Sequence, residues 1–372
     1  MKEISGHAII IGDSFNNTLG LIRSLGEANI DITLFLVGET DRLCVAKSRY
    51  LRGEKIFRIE KVEECLPLLR QIADGSKSQM IICTNDVAAQ FIDKHEPELS
   101  QSYITPMQGR QLGNLMNKDV QCRLAEECGF TVPKSFVYKR GDEFPENLNY
   151  PILLKPDNSN SGEKSDIHIC RTYNDVKDSL RQSSSCQKFI VQEYIEKEYE
   201  LNLIGVSTGH GVYVPGGIRK IRHYPTIYSP CSFGLYISVN KINIDITPIV
   251  KFITRVGYHG PFSVELLHKG DKNYFMEVNF RHDGLAYTAT ASGVNLPALL
   301  FKPSSNEISM QVRDIYMMDL SIDFCHVKDG DLSLKDWIKD FRKTGCFLNY
   351  NKKDKQPTIS YYKNKFKQKL HL

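Results

Sequence analysis

Three short apolar runs separated by helix-like segments dominate the first hundred residues. They read HAIIIG at 7–12, DITLFLV at 31–37 and QMIICTND at 79–86, and the intervening TLGLIRSLGEAN and CLPLLRQIADG space their apolar residues three and four apart. Strands that alternate with helices cannot be joined by tight hairpins. They pair in parallel through crossover connections, so the pattern predicts a βαβ layer. The loop after the first run, GDSFNNTLG, holds only Gly12 and Gly20 and lacks the GxGxxG spacing of a dinucleotide site. The expectation is a Rossmann-like layer without its usual cofactor signal.

At 372 residues the chain can hold two or three domains, and 41% hydrophobic against 25% charged residues is an ordinary globular balance. A net charge of +4 does not point to nucleic acid, and no apolar run reaches the ~20 residues of a membrane helix. The N-terminus reads as a strand rather than a cleavable signal. Ten cysteines are scattered without a CxxC pair, which argues for free, mostly buried thiols and a cytoplasmic setting.

From Asp119 the texture changes. A helix is predicted to run to Cys128 and stop at Gly129, YPILLKP and KFIVQEYI read as strands, and YELNLIGVSTGHGVYVPGG reads as a hairpin around Ser207–Gly211. A helix is expected near 246–256, followed by the hairpin GPFSVELLHKGDKNYFMEVNFR.

In that hairpin the second strand alternates. Glu277, Asn279 and Arg281 share one face, and Met276, Val278 and Phe280 share the other. A turn centred on Asp271 would set Glu265 opposite Glu277, where one of two carboxylates at ~5 Å must take a proton unless a cation lies between them; a solvated polar face on an edge hairpin is the alternative. Two Glu and one Asn form an all-oxygen set suited to Mg²⁺, and Arg281 beside them suits a phosphate.

These residues follow others in a recognisable order: Lys118 in NKD, Lys155 in ILLKP with the polar loop DNSNSGEK, VQEYI, EKEYELNL, then Glu265 and Glu277-x-Asn279. The ordered set resembles the ATP-grasp superfamily of carboxylate–amine ligases. The resemblance covers roughly 110–300 and implies an α/β fold, α+β in the catalytic part, preceded by a Rossmann-like pre-ATP-grasp domain. The implied division is 1–107, a lid subdomain 108–187, a catalytic subdomain 188–305 and a C-terminal extension 306–372. It implies ATP contacts from Lys118, Lys155, the lid residues Ser159, Ser161 and Gly162, the hinge Gln192, Glu193, Tyr194 and Ile195, and Glu198 or Glu200 at the ribose. Mg²⁺ or Mn²⁺ would sit on Glu265, Glu277 and Asn279, with Lys155 and Arg281 in catalytic roles. The implied activity joins a small-molecule carboxylate to an amine through an acyl phosphate. A carbamoyl-phosphate-type or carboxylase-type partial reaction, or a non-catalytic ATP-binding module, are the alternatives on the same fold. A homodimer is compatible with the sequence.

The basic run Arg219, Lys220, Arg222 and His223 in GGIRKIRHYP suits a substrate carboxylate, with Lys220 and Arg222 (and Arg281) preferred. Gly205-x-Ser207-x-Gly209 matches a nucleophile elbow, but its glycine-rich sequel argues for a hairpin rather than the helix a hydrolase needs. Residues 351–372 hold seven lysines against one Asp, with Tyr361, Tyr362 and Phe366 interleaved, and read as a solvated terminal helix or frayed end, with contact to nucleic acid or an anionic membrane surface as the alternative.

Overall fold

A computed structural model describes residues 6–76, 78–107, 112–145, 147–156, 167–183, 186–227, 229–301 and 310–369. The chain divides into two compact units: 1–113 with 201–264 and 278–372, and 114–200 with 265–277. The hairpin anticipated to carry the chemistry is thus split along its own strands.

The first unit begins with β1 (His7–Gly12), β2 (Asp31–Val37), β3 (Ile56–Ile59) and β4 (Gln79–Cys83), a parallel sheet in the order β3-β2-β1-β4. Ala8 to Ile11 are all fully buried, consecutive residues that point to both faces, as in a parallel sheet covered on each side. Its first and second strands pair in the register His7↔Asp31 to Gly12↔Leu36. β3 was not anticipated. Its four residues run from half-buried Ile56 and Phe57 through exposed Arg58 to buried Ile59 at a sheet edge, which gives no clean period. Gly12 is required by crowding rather than by a cofactor loop. A Cβ there would lie 1.9 Å from Thr84 Oγ1 and 2.5 Å from Thr18 Oγ1, two hydroxyls that bond each other at 2.6 Å.

The second unit holds β5 (Ser135–Lys139), β6 (Ile152–Pro156), β7 (His168–Cys170) and β8 (Lys188–Glu193), paired antiparallel in the order β5-β8-β6-β7. Its helix Lys118–Cys128 ends at Gly129 in the left-handed region (φ 97°), as the sequence predicts. The remaining strands are β9 (Tyr199–Thr208), β10 (Gly211–His223), β11 (Cys231–Ser238), β12 (Gly260–Lys269), β13 (Lys272–Asn279), β14 (Ile315–Met318) and β15 (Thr344–Phe347). They form a sheet in the order β13-β12-β9-β10-β11-β14-β15. The predicted helix near 246–256 is Thr247–Val256. All ten cysteines are free, eight of them buried. No helix among the described residues is long and apolar enough to cross a membrane.

The elbow motif resolves as anticipated. Ser207 is 5% exposed near the end of β9, and the chain turns directly into β10 without a helix. A nucleophile would need the opposite: an exposed hydroxyl on a strand-to-helix turn.

Candidate functional site

In the second unit, strand alternation separates a core face from a working face. Ile152 and Leu154 on β6, with Phe189 and Val191 on β8, pack around Val176 of the helix Tyr173–Gln182. The intervening residues Leu153, Lys155, Ile190 and Gln192 therefore point the other way. The register Lys155↔Ile190 and Leu153↔Gln192 sets Lys155 and Gln192 on a diagonal, and Lys155 Nζ donates to Gln192 Oε1 at 3.0 Å.

Lys118 opens its helix, with the Asn117 side chain accepting from Asp119 N at 2.9 Å as the cap. A lysine in the first turn opposes the helix dipole, so the helix gains nothing from that charge. Its Nζ instead lies 3.5 Å from Glu277 Oε2. Glu277 is held there by its neighbour on the strand. Phe275 is 1% exposed, packs against Phe130 with ring centres 5.0 Å apart and tilted by 53°, and donates its N–H to Thr131 O at 2.8 Å. Here the simple alternation fails: Met276, expected in the core, is 39% exposed, while Phe275 on Glu277's side is buried. Packing against Phe130 overrides the two-residue period.

The Lys155 ammonium is pushed down to about 8, first by burial and then by the nearby Lys118 charge, with Cys122 and Glu277 pulling the other way. Two cations thus stand near one carboxylate and one neutral carboxamide. Such an arrangement favours an incoming polyanion.

Glu265 lies half-buried on β12 in the same unit as Glu277. The connection between their strands is the two-residue Gly270–Asp271, not the odd-numbered loop that would centre the turn on Asp271. Beside the turn, His268 Nδ1 and Asn273 Oδ1 approach to 2.9 Å, one residue off the register expected to set Glu265 across from Glu277.

Of the hinge residues, Gln192 faces Lys155, Ile195 is buried, and the N–H groups of Glu193 and Tyr194 are spent on Lys134 O (2.8 Å) and Pro151 O (3.3 Å). The two ribose candidates differ. Glu198 is exposed and its Oε1 accepts from Gly270 N at 2.9 Å, whereas Glu200 is 9% exposed and ion-paired with Lys197. Ser159, Ser161 and Gly162 lie outside the described residues.

Asn279 and Arg281 belong to the first unit. Asn279 donates to Ser263 Oγ at 3.4 Å and accepts from Arg281 Nη2 at 3.0 Å, while Arg281 Nε meets Asp86 Oδ1 at 2.8 Å. Sequence reasoning missed this acidic company. Asp13 accepts from Asn85 at 2.8 Å, its other oxygen is buried with no hydrogen-bond partner among the described residues, and burial raises its pKa. A signal was present: GDS and TND stand at the ends of β1 and β4, and in the order β3-β2-β1-β4 the strand order reverses between those two strands, where open α/β sheets place ligands.

Arg222 is corrected outright as a substrate residue. Its guanidinium bonds Asp323 at 3.0 and 2.8 Å, pairs with Asp340, and stacks over Phe233 at 4.2 Å, which makes it a structural cation. Lys220 lies half-buried on β10 opposite Gly234.

No family model matches the chain. It is 28% identical over 220 residues, 56% of its length, to the formate-dependent phosphoribosylglycinamide formyltransferase of a Nitratiruptor species, of which it covers 52%. The chain spans about half the length of the curated relatives it matches. Among solved structures, N5-carboxyaminoimidazole synthetase from Staphylococcus aureus complexed with ADP is similar with a TM-score of 0.66 at 16% identity, over 89% of this chain and 86% of that one. The L-amino acid ligase from Bacillus licheniformis is similar with a TM-score of 0.61 at 15% identity, over 85% and 79%. The chain has the fold of these ATP-grasp proteins, and its sequence likeness to the curated relatives extends over about half of its length.

Proposed function

We propose that this chain is an ATP-dependent ligase that joins a carboxylate to an amine through an acyl phosphate. The observation supporting this most directly is the crowding of Lys155 and Lys118, two ammonium groups kept close with too little negative charge around them until a polyphosphate arrives. Both act as charge clamps on the phosphates, and Gln192 holds Lys155 on the working face meanwhile. Glu200, buried at the start of β9, suits a ribose better than Glu198, whose carboxylate is committed to the hairpin turn.

The donor set is chemically right for Mg²⁺ or Mn²⁺. Glu265 and Glu277 supply carboxylate oxygens and Asn279 a carbonyl oxygen, with no nitrogen or sulfur among them. The ion would draw charge from the transferring phosphoryl group. A substrate carboxylate oxygen bonds the γ-phosphorus as the bond to ADP breaks. The amine nitrogen then bonds the acyl carbon, expels inorganic phosphate and releases a proton. Lys220 is proposed to hold the acid, and Arg281 to stabilise the oxyanions. The curated relative and the L-amino acid ligase named above support this class of reaction, and the ten free thiols fit a reducing, cytoplasmic setting.

The test is phosphate release from Mg-ATP with pools of amino acids and small carboxylic acids, run beside a Glu277→Gln variant. Turnover that requires one acid and one amine, and that is lost in the variant, supports the ligase. Failure to bind Mg-ATP overturns it.

A further inference from the structure

The C-terminal segment of the first unit presents apolar side chains outward on two helices. On Leu334–Lys343 the row is Leu334 (53% exposed), Ile338 (36%) and Phe341 (38%), spaced four and three apart. On Gln356–Lys369 it is Ile359 (41%), Tyr362 (47%) and Phe366 (64%), spaced three and four. An unbroken series of ring contacts joins the two regions. Trp337 meets Phe341 at 5.3 Å, Phe341 meets Phe347 at 5.0 Å, and Phe347 meets Tyr350 at 6.5 Å, where Tyr350 lines a groove of about 570 Å³ along the second helix. Helices of a globular protein turn such rows inward. Here the second helix is seated through Pro357, which is buried, and the half-buried Thr358 and Tyr361, leaving the row free.

The charge around these rows is predominantly basic. Lys355, Lys363 and Lys367 line the groove, and Lys335, Lys339 and Arg342 are exposed on the first helix. Asp336 stays exposed in the first turn of the first helix, bonded by Ser333 Oγ at 2.6 Å, but two other acids are turned away. Asp354 is 1% exposed and bonded by Arg23, and Asp340 is taken by Arg222 and Lys343.

We propose that this face docks on an anionic membrane surface. Protruding aromatic and aliphatic side chains ringed by lysines are the arrangement of an interfacial helix, whose apolar row enters the acyl boundary while lysines meet lipid phosphates. A second copy of the chain would bring like charges together. Nucleic acid would have no use for Leu334, Ile338 and Ile359, which cannot read or grip a base as stacked rings do. The inference is independent of the ligase reading, because it uses none of the residues assigned to ATP.

The experiment is co-sedimentation of the full chain with vesicles of phosphatidylcholine alone or with 30% (about one lipid in three) phosphatidylglycerol, at low and high salt. Binding is expected only to the anionic vesicles and is expected to weaken with salt. Each basic residue near such a surface is worth about a factor of five in partitioning, so Lys363→Glu with Lys367→Glu should weaken binding by at least about 30-fold. Tyr362→Ser with Phe366→Ser should weaken it with the charges intact. All four positions are exposed, so an unchanged melting temperature checks the fold of each variant. No binding to anionic vesicles, equal binding to neutral ones, or binding indifferent to both pairs overturns the proposal. So does a dimer in sedimentation velocity that the Tyr362 and Phe366 changes dissociate.

Discussion

Lys155 donates a hydrogen bond to the carboxamide of Gln192 at 3.0 Å, so a charged group on the working face of the sheet is met by a neutral one. With its pKa at about 8 rather than 10.5, Lys155 is protonated at neutral pH but begins to lose its charge just above. The affinity for Mg-ATP should therefore hold steady to about pH 8 and fall by up to about tenfold per unit beyond it, because binding must then recruit a proton. Isothermal titration from pH 7 to 9.5 in buffers of different ionisation heats measures both the affinity and the proton uptake. A Lys155→Arg variant should lose the break. The sign for stability is opposite. Between pH 8 and 10.5 the unfolded chain binds more protons than the folded one, so the ligand-free protein should gain stability as pH rises across that window.

Glu277 lies 3.5 Å from Lys118 and raises the Lys155 pKa. Replacing it with Gln removes a proposed metal ligand and leaves the two lysines repelling each other. Turnover should fall by at least ~100-fold, and the pH break in ATP binding should move below 8. A break that stays in place would disconnect Glu277 from Lys155.

Arg23 and Asp354 are fully buried and paired at 3.1 Å, and Asp354 also accepts from Ser48 Oγ (3.0 Å) and Arg49 N (2.9 Å). Truncating Asp354 to Ala strands a buried guanidinium and should cost about 3–5 kcal/mol in urea unfolding. Replacing both, as Arg23→Met with Asp354→Leu, should cost clearly less than the sum of the single changes.

A Cβ on Gly205 would lie 2.4 Å from Phe262 Cζ inside the sheet. Gly205→Ala should destabilise the protein by about 1–3 kcal/mol through overpacking, and Phe262→Leu in the same chain should restore part of that loss. Ser207→Ala beside it should leave ATP turnover untouched. Loss of activity without loss of stability would reopen the hydrolase reading.

The sequence disclosed most where period and spacing coincide. The parallel layer, the helix stop at Gly129 and the turn after Ser207 all follow from local pattern, and Lys118, Lys155, Gln192 and Glu277 stand together as their order suggested. It disclosed least where distant segments compete. Nothing local tells that Arg222 will meet Asp323 and Asp340 a hundred residues on, or that Phe130 will draw Phe275 inward and leave Met276 outside. The acidic neighbours of Arg281 depend on which strand ends the fold sets side by side, and Asp13 and Asp86 look like ordinary loop residues until β1 and β4 are paired.

The second unit is stitched from two stretches of chain, 114–200 and 265–277, with residues 201–264 of the first unit threaded between them. During synthesis at ~5–20 residues per second, its sheet and helix emerge well before the strand that supplies Glu277. For several seconds the Lys118 and Lys155 charges exist without their carboxylate, and Phe130 waits without Phe275. A polyphosphate could meet those lysines before the metal ligands are even made. A fragment cut after residue 200 would keep both lysines, yet it could never acquire the acid that balances them.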